Sequence, residues 1–84
     1  MSAPVIHPAQ RNLVDIAPTE SYRPADPVWV YRAGAWRAGV VEVASARAAT
    51  VTYRTGASRG TAVDTMTAEC VFARDDLDPA LDHR

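Results

Sequence analysis

Val28-Trp29-Val30-Tyr31-Arg32, Gly34-Ala35-Trp36-Arg37-Ala38-Gly39-Val40-Val41 and Ala49-Thr50-Val51-Thr52-Tyr53-Arg54 decide the fold. The first stretch is rich in β-branched and aromatic residues and predicts a strand. Its valines share one face, and Trp29 and Tyr31 share the other. Ala33-Gly34 predicts the turn into a second strand, Trp36 to Val43. Strict alternation breaks there at Val40-Val41, and the preceding Gly39 predicts a bulge or sharp bend. In the third stretch Ala49, Val51 and Tyr53 take one face and Thr50, Thr52 and Arg54 the other. Gly56 to Gly60 is a loop with a glycine at each end. Thr61 to Met66 follows as a fourth strand centred on Val63. Thr67 to Cys70 predicts a single tight turn before a short closing strand, Val71 to Arg74.

Five short strands with a bent second member predict an all-β fold, a small barrel whose closure removes free sheet edges. One domain is expected of 84 residues, with a core of little margin at that size. Much of the 48% hydrophobic content is alanine, and a methyl contributes little on burial. Residues 1–26 hold Pro4, Pro8, Pro18 and Pro24, each of which biases its predecessor toward extended backbone. This segment is expected to be a flexible Pro-rich, mostly disordered arm. Its apolar patch, Leu13, Val14 and Ile16, is too brief for a stable helix and is available to dock on a partner. The barrel is placed at residues 27–74 and an acidic tail at 75–84.

Charge follows the same division. Residues 27–74 carry six Arg against three acids, +3; residues 1–26 carry two Arg against three acids, -1; residues 75–84 carry one Arg against four acids, -3. All nine basic residues are Arg. Arg suits bidentate contact with carboxylate or phosphate, although the absence of Lys is also what a GC-rich genome writes. The split suggests an acidic tail lying over the basic barrel. A single cysteine allows no intrachain disulfide and fits a reducing cytoplasm. No apolar run approaches a membrane span, and no basic segment precedes an apolar run at the N-terminus. A cytoplasmic chain without membrane association is expected.

The stretches quoted above resemble the Tudor and related SH3-like barrels over roughly residues 27–74. In those domains an early aromatic strand leads to Gly-x-Trp, a valine-rich strand and a Val-x-Tyr strand. The resemblance implies a five-stranded SH3-like (Tudor-like) barrel. It also implies a cage for a methylated side chain at the matching aromatics Trp29, Trp36 and Tyr53, with Tyr31 and Phe72 nearby. Thr55-Gly56 stands where family members often have an acidic residue and Gly. Two readings of the rings remain open, cage lining and core filling. The type II dihydrofolate reductases are SH3-like barrels of similar length, but their Val-Gln-Ile-Tyr is replaced here by Val63-Asp64-Thr65-Met66. That enzyme is the remote alternative.

Residues for chemistry are few, and no enzyme activity, metal or cofactor is expected. His7 and His83 lie in the tails without partners at zinc spacing. Ser45, Ser58 and Cys70 have no histidine in the folded region to activate them. Cys70 reads as a small buried hydrophobe. Asp75, Asp76 and Asp78 lack the Gly and distal Glu of a calcium loop. The remaining surface is aromatic plus Arg, the composition of interface hot spots. The expected site is Trp29, Tyr31, Arg32, Trp36, Arg37, Tyr53, Arg54 and Arg59. The expected function is non-catalytic binding of a protein or peptide partner, with nucleic acid as the alternative.

Overall fold

The computed structural model of the chain describes residues 3–55 and 60–75. The strands are β1 (Pro27–Arg32), β2 (Ala35–Ala44), β3 (Ala49–Arg54), β4 (Thr61–Met66) and β5 (Val71–Ala73). They form one antiparallel sheet in the order β4-β3-β2-β1-β5. Each lies where alternation of apolar and polar residues places it. The tight turn expected before β5 is a 3₁₀ turn at Ala68–Cys70.

β1 and β2 are joined by the two-residue turn Ala33-Gly34, with φ of 52° and 80°. Positive φ at both central residues is the hairpin geometry whose twist matches the flanking strands. Arg32 pairs with Ala35 across it, and the register then runs through Tyr31 opposite Trp36 and Trp29 opposite Ala38.

One face of the sheet carries the core. Val28, Val30, Val41, Ala49, Val51, Tyr53, Met66 and Val71 are buried together, and Tyr22, Ala44, Ala62 and Cys70 pack at the margin. A flat sheet would put Met66 of β4 and Val71 of β5 on opposite edges, about 19 Å apart at ordinary strand spacing. The chain joins them with four residues that include a one-turn helix. A fully extended link of that length reaches only about 18 Å, and the 3₁₀ turn shortens it further. The sheet therefore curls, bringing its two edges toward one another over the valine core.

The curl is made in β2. Gly39 is buried against β3, where an added Cβ would lie 2.6 Å from the Thr52 carbonyl oxygen and 2.9 Å from Val51 Cγ1. The register with β3 then shifts between Val41 and Val43. The extra residue is Glu42, so the bulge sits immediately after the Val40-Val41 break seen in the sequence. Val40 and Val41 are both fully buried because they point to opposite faces of a strand covered on both sides.

The expected closed barrel is corrected in one respect. The sheet is open, since the ladder order ends at β4 on one side and β5 on the other. β5 pairs with β1 and β4 with β3, and among the described residues no ladder joins these two end strands.

The segment expected as a flexible arm is laid against the sheet in three 3₁₀ turns, Pro8–Gln10, Leu13–Asp15 and Thr19–Ser21. His7 Nδ1 accepts from the Ala9 amide, and Asn12 Oδ1 accepts from the Val14 amide. Such single turns have no apolar period, so nothing in the sequence pattern announces them. Nearer β1 the chain is anchored. Thr19 is buried and donates to the Ser45 carbonyl at 2.6 Å. The Ala25 and Val41 amides donate to the Val41 and Asp26 carbonyls respectively, at 2.7 and 2.9 Å.

Candidate functional site

The outer face of the sheet, opposite the valine core, is aromatic. Alternation along β1 puts Trp29 and Tyr31 there, and the antiparallel registers place Phe72 beside Trp29 and Trp36 beside Tyr31. The rings meet edge to face. Tyr31 and Trp36 have centroids 5.3 Å apart, and Trp36 and Phe72 5.2 Å apart. This is the preferred packing of aromatic quadrupoles. Trp29 stands beside them with the Arg74 guanidinium 6.0 Å from its ring centre. All four rings are half-buried.

The stretch Ile6–Arg11 of the N-terminal segment, extended at His7 and turned at Pro8–Gln10, covers this ladder. Trp36 Nε1 donates to the Ile6 carbonyl at 2.7 Å. The His7 ring meets Tyr31 edge to face at 5.2 Å, and Pro8 is buried. The Arg11 guanidinium lies 3.8 Å over the Phe72 ring. Its Nη1 donates to the carbonyls of Ala68, Glu69 and Val71 at 3.3, 2.7 and 2.9 Å. Those carbonyls belong to the 3₁₀ turn and the residue after it; the Ala68 carbonyl also accepts from the Val71 amide that closes the turn, and Glu69 lies in the last turn, whose carbonyls a helix leaves without intrahelical donors. Partial burial lowers the Arg11 ionisation from its ordinary value, with Tyr22, Cys70, Glu69 and Asp15 opposing the change.

The eight residues expected at the site do not converge. Trp29, Tyr31 and Trp36 share the outer face. Tyr53 lies on the core face at 5% exposure, so the sheet separates it from Trp29 and Trp36, and these three do not line a common cage. Its hydroxyl donates to Asp64 at 3.1 Å, and Asp64 pairs with Arg32 at 3.2 Å. Arg37 Nε donates to the Arg32 carbonyl at 3.0 Å. Arg32, Ala33, Arg37, Tyr53 and Thr55 line an open hollow of about 210 Å³ at the hairpin end of the core. Arg54 is half-buried on the Thr50 and Thr52 side of β3, and Arg59 lies outside the described residues. So does the acidic tail beyond Asp75.

Sequence reasoning missed four contributors: Ile6, His7, Pro8 and Arg11. Their only local signal is the cluster His7-Pro8-Ala9-Gln10-Arg11, which mixes a ring, a proline and a cation within five residues of a low-complexity-looking arm. The contact they make is long-range and leaves no period in the chain.

Cys70 beside the Arg11 acceptors is partly buried. Burial pushes its thiol up, with Glu69 adding to the shift and Thr67 and Arg11 opposing it. Burial raises the Tyr22 phenol as well. Both groups hold their protons more tightly folded than unfolded, so above the ordinary cysteine range the unfolded chain releases protons that the folded chain keeps. Stability is then expected to fall as pH rises. Urea midpoints at pH 8 and pH 10 check this, with a lower midpoint at pH 10 and a smaller fall in Cys70→Ala.

Among the described residues no three His, Cys, Asp or Glu side chains gather as a metal site, and no helix is long and apolar enough to cross a membrane. No family model, curated protein or solved structure matches the chain.

Proposed function

We propose that this chain is a non-catalytic binding module of the SH3-like, Tudor-like kind, and that the outer aromatic face is where it takes a protein or peptide partner. The strand order, the bend in β2 and the one-turn helix before β5 support the fold assignment. The observation that carries the function is the seating of Ile6–Arg11, an extended lead into a single 3₁₀ turn, on the Tyr31, Trp36 and Phe72 ladder. An indole donor aimed at a peptide carbonyl, with aromatic rings for flat side chains around it, is the equipment of aromatic-lined peptide grooves.

The arginines favour a peptide over nucleic acid. Arg11 and Arg74 point to backbone carbonyls, and Arg32 is paired with Asp64. Burial of Arg74 takes one cation off the surface that the +3 of residues 27–74 suggests, and nonspecific nucleic-acid affinity scales with that surface.

The test follows the indole resonances of Trp29 and Trp36 in the full chain. A proline-containing peptide pool and a single-stranded oligonucleotide are titrated separately at two salt concentrations. The expected result is movement of the Trp36 indole by peptides, little changed by salt, and its loss in Tyr31→Ala. Movement by the oligonucleotide alone, disappearing at high salt, overturns the proposal in favour of nucleic-acid binding.

A further inference from the structure

We infer that residues Ile6–Arg11 are a built-in, displaceable ligand of the aromatic face, and that the external ligand is a segment of the same chemistry, a proline that opens a single 3₁₀ turn and is followed three residues later by an arginine. This rests on the reading of the face as a peptide site and names both its ligand class and its control.

Two separate anchorages divide the N-terminal segment. The one near β1 belongs to the folded body: Thr19 is 1% exposed and bonded to Ser45, and Tyr22 packs on the core. The other is the seating of Ile6 to Arg11 on the rings. Between them runs a tether that touches little. Leu13 and Val14 stand 84% and 85% exposed at its centre. Lifting Ile6 to Arg11 therefore breaks the contacts of that stretch alone and leaves the core cluster intact, since none of its members belongs to the stretch.

The lifted stretch is recognised by chemistry that any chain can supply. The Trp36 indole bonds a backbone carbonyl, which carries no identity. Pro8 fills a buried position and presets the extended-to-3₁₀ backbone on both sides of it. The Arg11 guanidinium uses its flat face on Phe72 and its N–H groups on three carbonyls. That double use needs a planar cation, which Lys does not provide. The spacing of Pro8 and Arg11 sets the register between the ring ladder and the 3₁₀ carbonyls. A partner segment with that spacing meets the same acceptors, while a segment lacking the arginine loses the guanidinium's bonds to them.

A short tether holds the internal copy at an effective concentration on the order of millimolar. Weak external segments are thus refused, and access requires either a better segment or release of the arm.

The experiment uses the full chain, the full-length Arg11→Glu variant and the synthetic peptide Ala3–Asn12. A second full-length variant, Pro8→Gly, serves if the first fails to fold, as judged by dispersed methyl resonances of the valine core. In the variant the Trp36 indole resonance is expected to move to an arm-free position. The peptide is then expected to bind at least about tenfold more tightly than to the native chain, because the competing internal copy is gone. A peptide carrying alanine in place of its arginine is expected to bind neither. Equal affinity for native and variant chains overturns the proposal, as does an unmoved Trp36 indole in both variants. Two parallel titrations separate this failure from failure of the wider reading. If a proline-free, arginine-free peptide moves Trp36 while Ala3–Asn12 does not, the internal-ligand proposal falls and peptide binding stands. If only the oligonucleotide moves it, both fall.

Discussion

Gly39→Ala is expected to lower the stability of the fold by about 3 kcal/mol. The new methyl would sit 2.6 Å from the Thr52 carbonyl oxygen, 2.9 Å from Val51 Cγ1 and 3.0 Å from Tyr53 Cβ. Two of those three neighbours cannot yield cheaply. Thr52 O is backbone, held in the β2–β3 ladder, and Tyr53 Cβ is fixed by a ring buried in the core. Relief has to come from separating β2 and β3, which removes the bend that brings Met66 toward Val71. Replacing glycine also restricts the unfolded chain, a gain of about 0.4–1 kcal/mol that is too small to compensate. A small domain holds only about 0.05–0.15 kcal/mol per residue, so the loss is a large part of the total. Urea unfolding followed by tryptophan fluorescence measures it. A midpoint within experimental error of the native chain would show that the strands separate freely at Gly39. Gly34→Ala is the informative companion. There an added Cβ meets nothing within 4 Å, but φ is +80°. Its cost is conformational, about 1 kcal/mol, and the two glycines separate crowding from backbone strain.

The contrast bears on what could be seen in the sequence. The strands were legible because each carries its own alternation. Val28, Val30, Val51 and Tyr53 fall on one face by period alone, and the structure buries all four. Ala33-Gly34 was legible as a turn because that pair is bounded by two apolar runs. Gly39 was legible as a bend, but not the position of the bulge, because Glu42 is displaced by the register with β3 and no single strand records its partner's register. The open edge was illegible for a related reason. Closure depends on how far the curl carries the outer edges of β4 and β5 toward each other, and neither Thr61–Met66 nor Val71-Phe72-Ala73-Arg74 records that distance.

The candidate site divides in the same way. Trp29, Tyr31 and Trp36 were found because neighbouring strands place cross-strand residues together. Tyr53 was grouped with them by residue type, and the sheet puts it on the other face. The arm was invisible as structure because its contacts join residues some 30 and 60 positions apart through turns too short to leave a pattern. A proline-rich sequence signals extended backbone. Whether that backbone lies in solvent or on a ladder of rings is decided by Trp36 and Phe72.

Arg74 was the least legible residue of all, and its removal is the second large effect. By position it ends the last strand and counts among six surface cations of the basic middle. In the structure it is 3% exposed. Its backbone amide donates to the Pro27 carbonyl at 3.0 Å. Its Nε donates to the Val28 carbonyl at 3.1 Å and its Nη2 to the Gly39 carbonyl at 3.0 Å. One guanidinium thus ties the β1 backbone to the bend of β2, where Gly39 already presses on β3. Arg74→Met keeps much of the apolar stem and removes the Nε and Nη2 donors. The Val28 and Gly39 carbonyls keep each other's amides in the β1–β2 ladder and each lose a bond from a charged donor, which costs about 1.5–3 kcal/mol, so a loss of about 3–6 kcal/mol is expected, at least as large as that of Gly39→Ala. Arg74→Lys supplies one compact cation in place of a planar fork and is expected to recover only part of it. Chemical denaturation of the three chains at one pH gives the order native, Lys, Met. Because Arg74 and Gly39 share a hydrogen bond, the double variant Gly39→Ala with Arg74→Met is expected to lose less than the sum of the single losses. Strict additivity would mean that the guanidinium and the bend act independently, and that the buried arginine does not hold β2 in its curve.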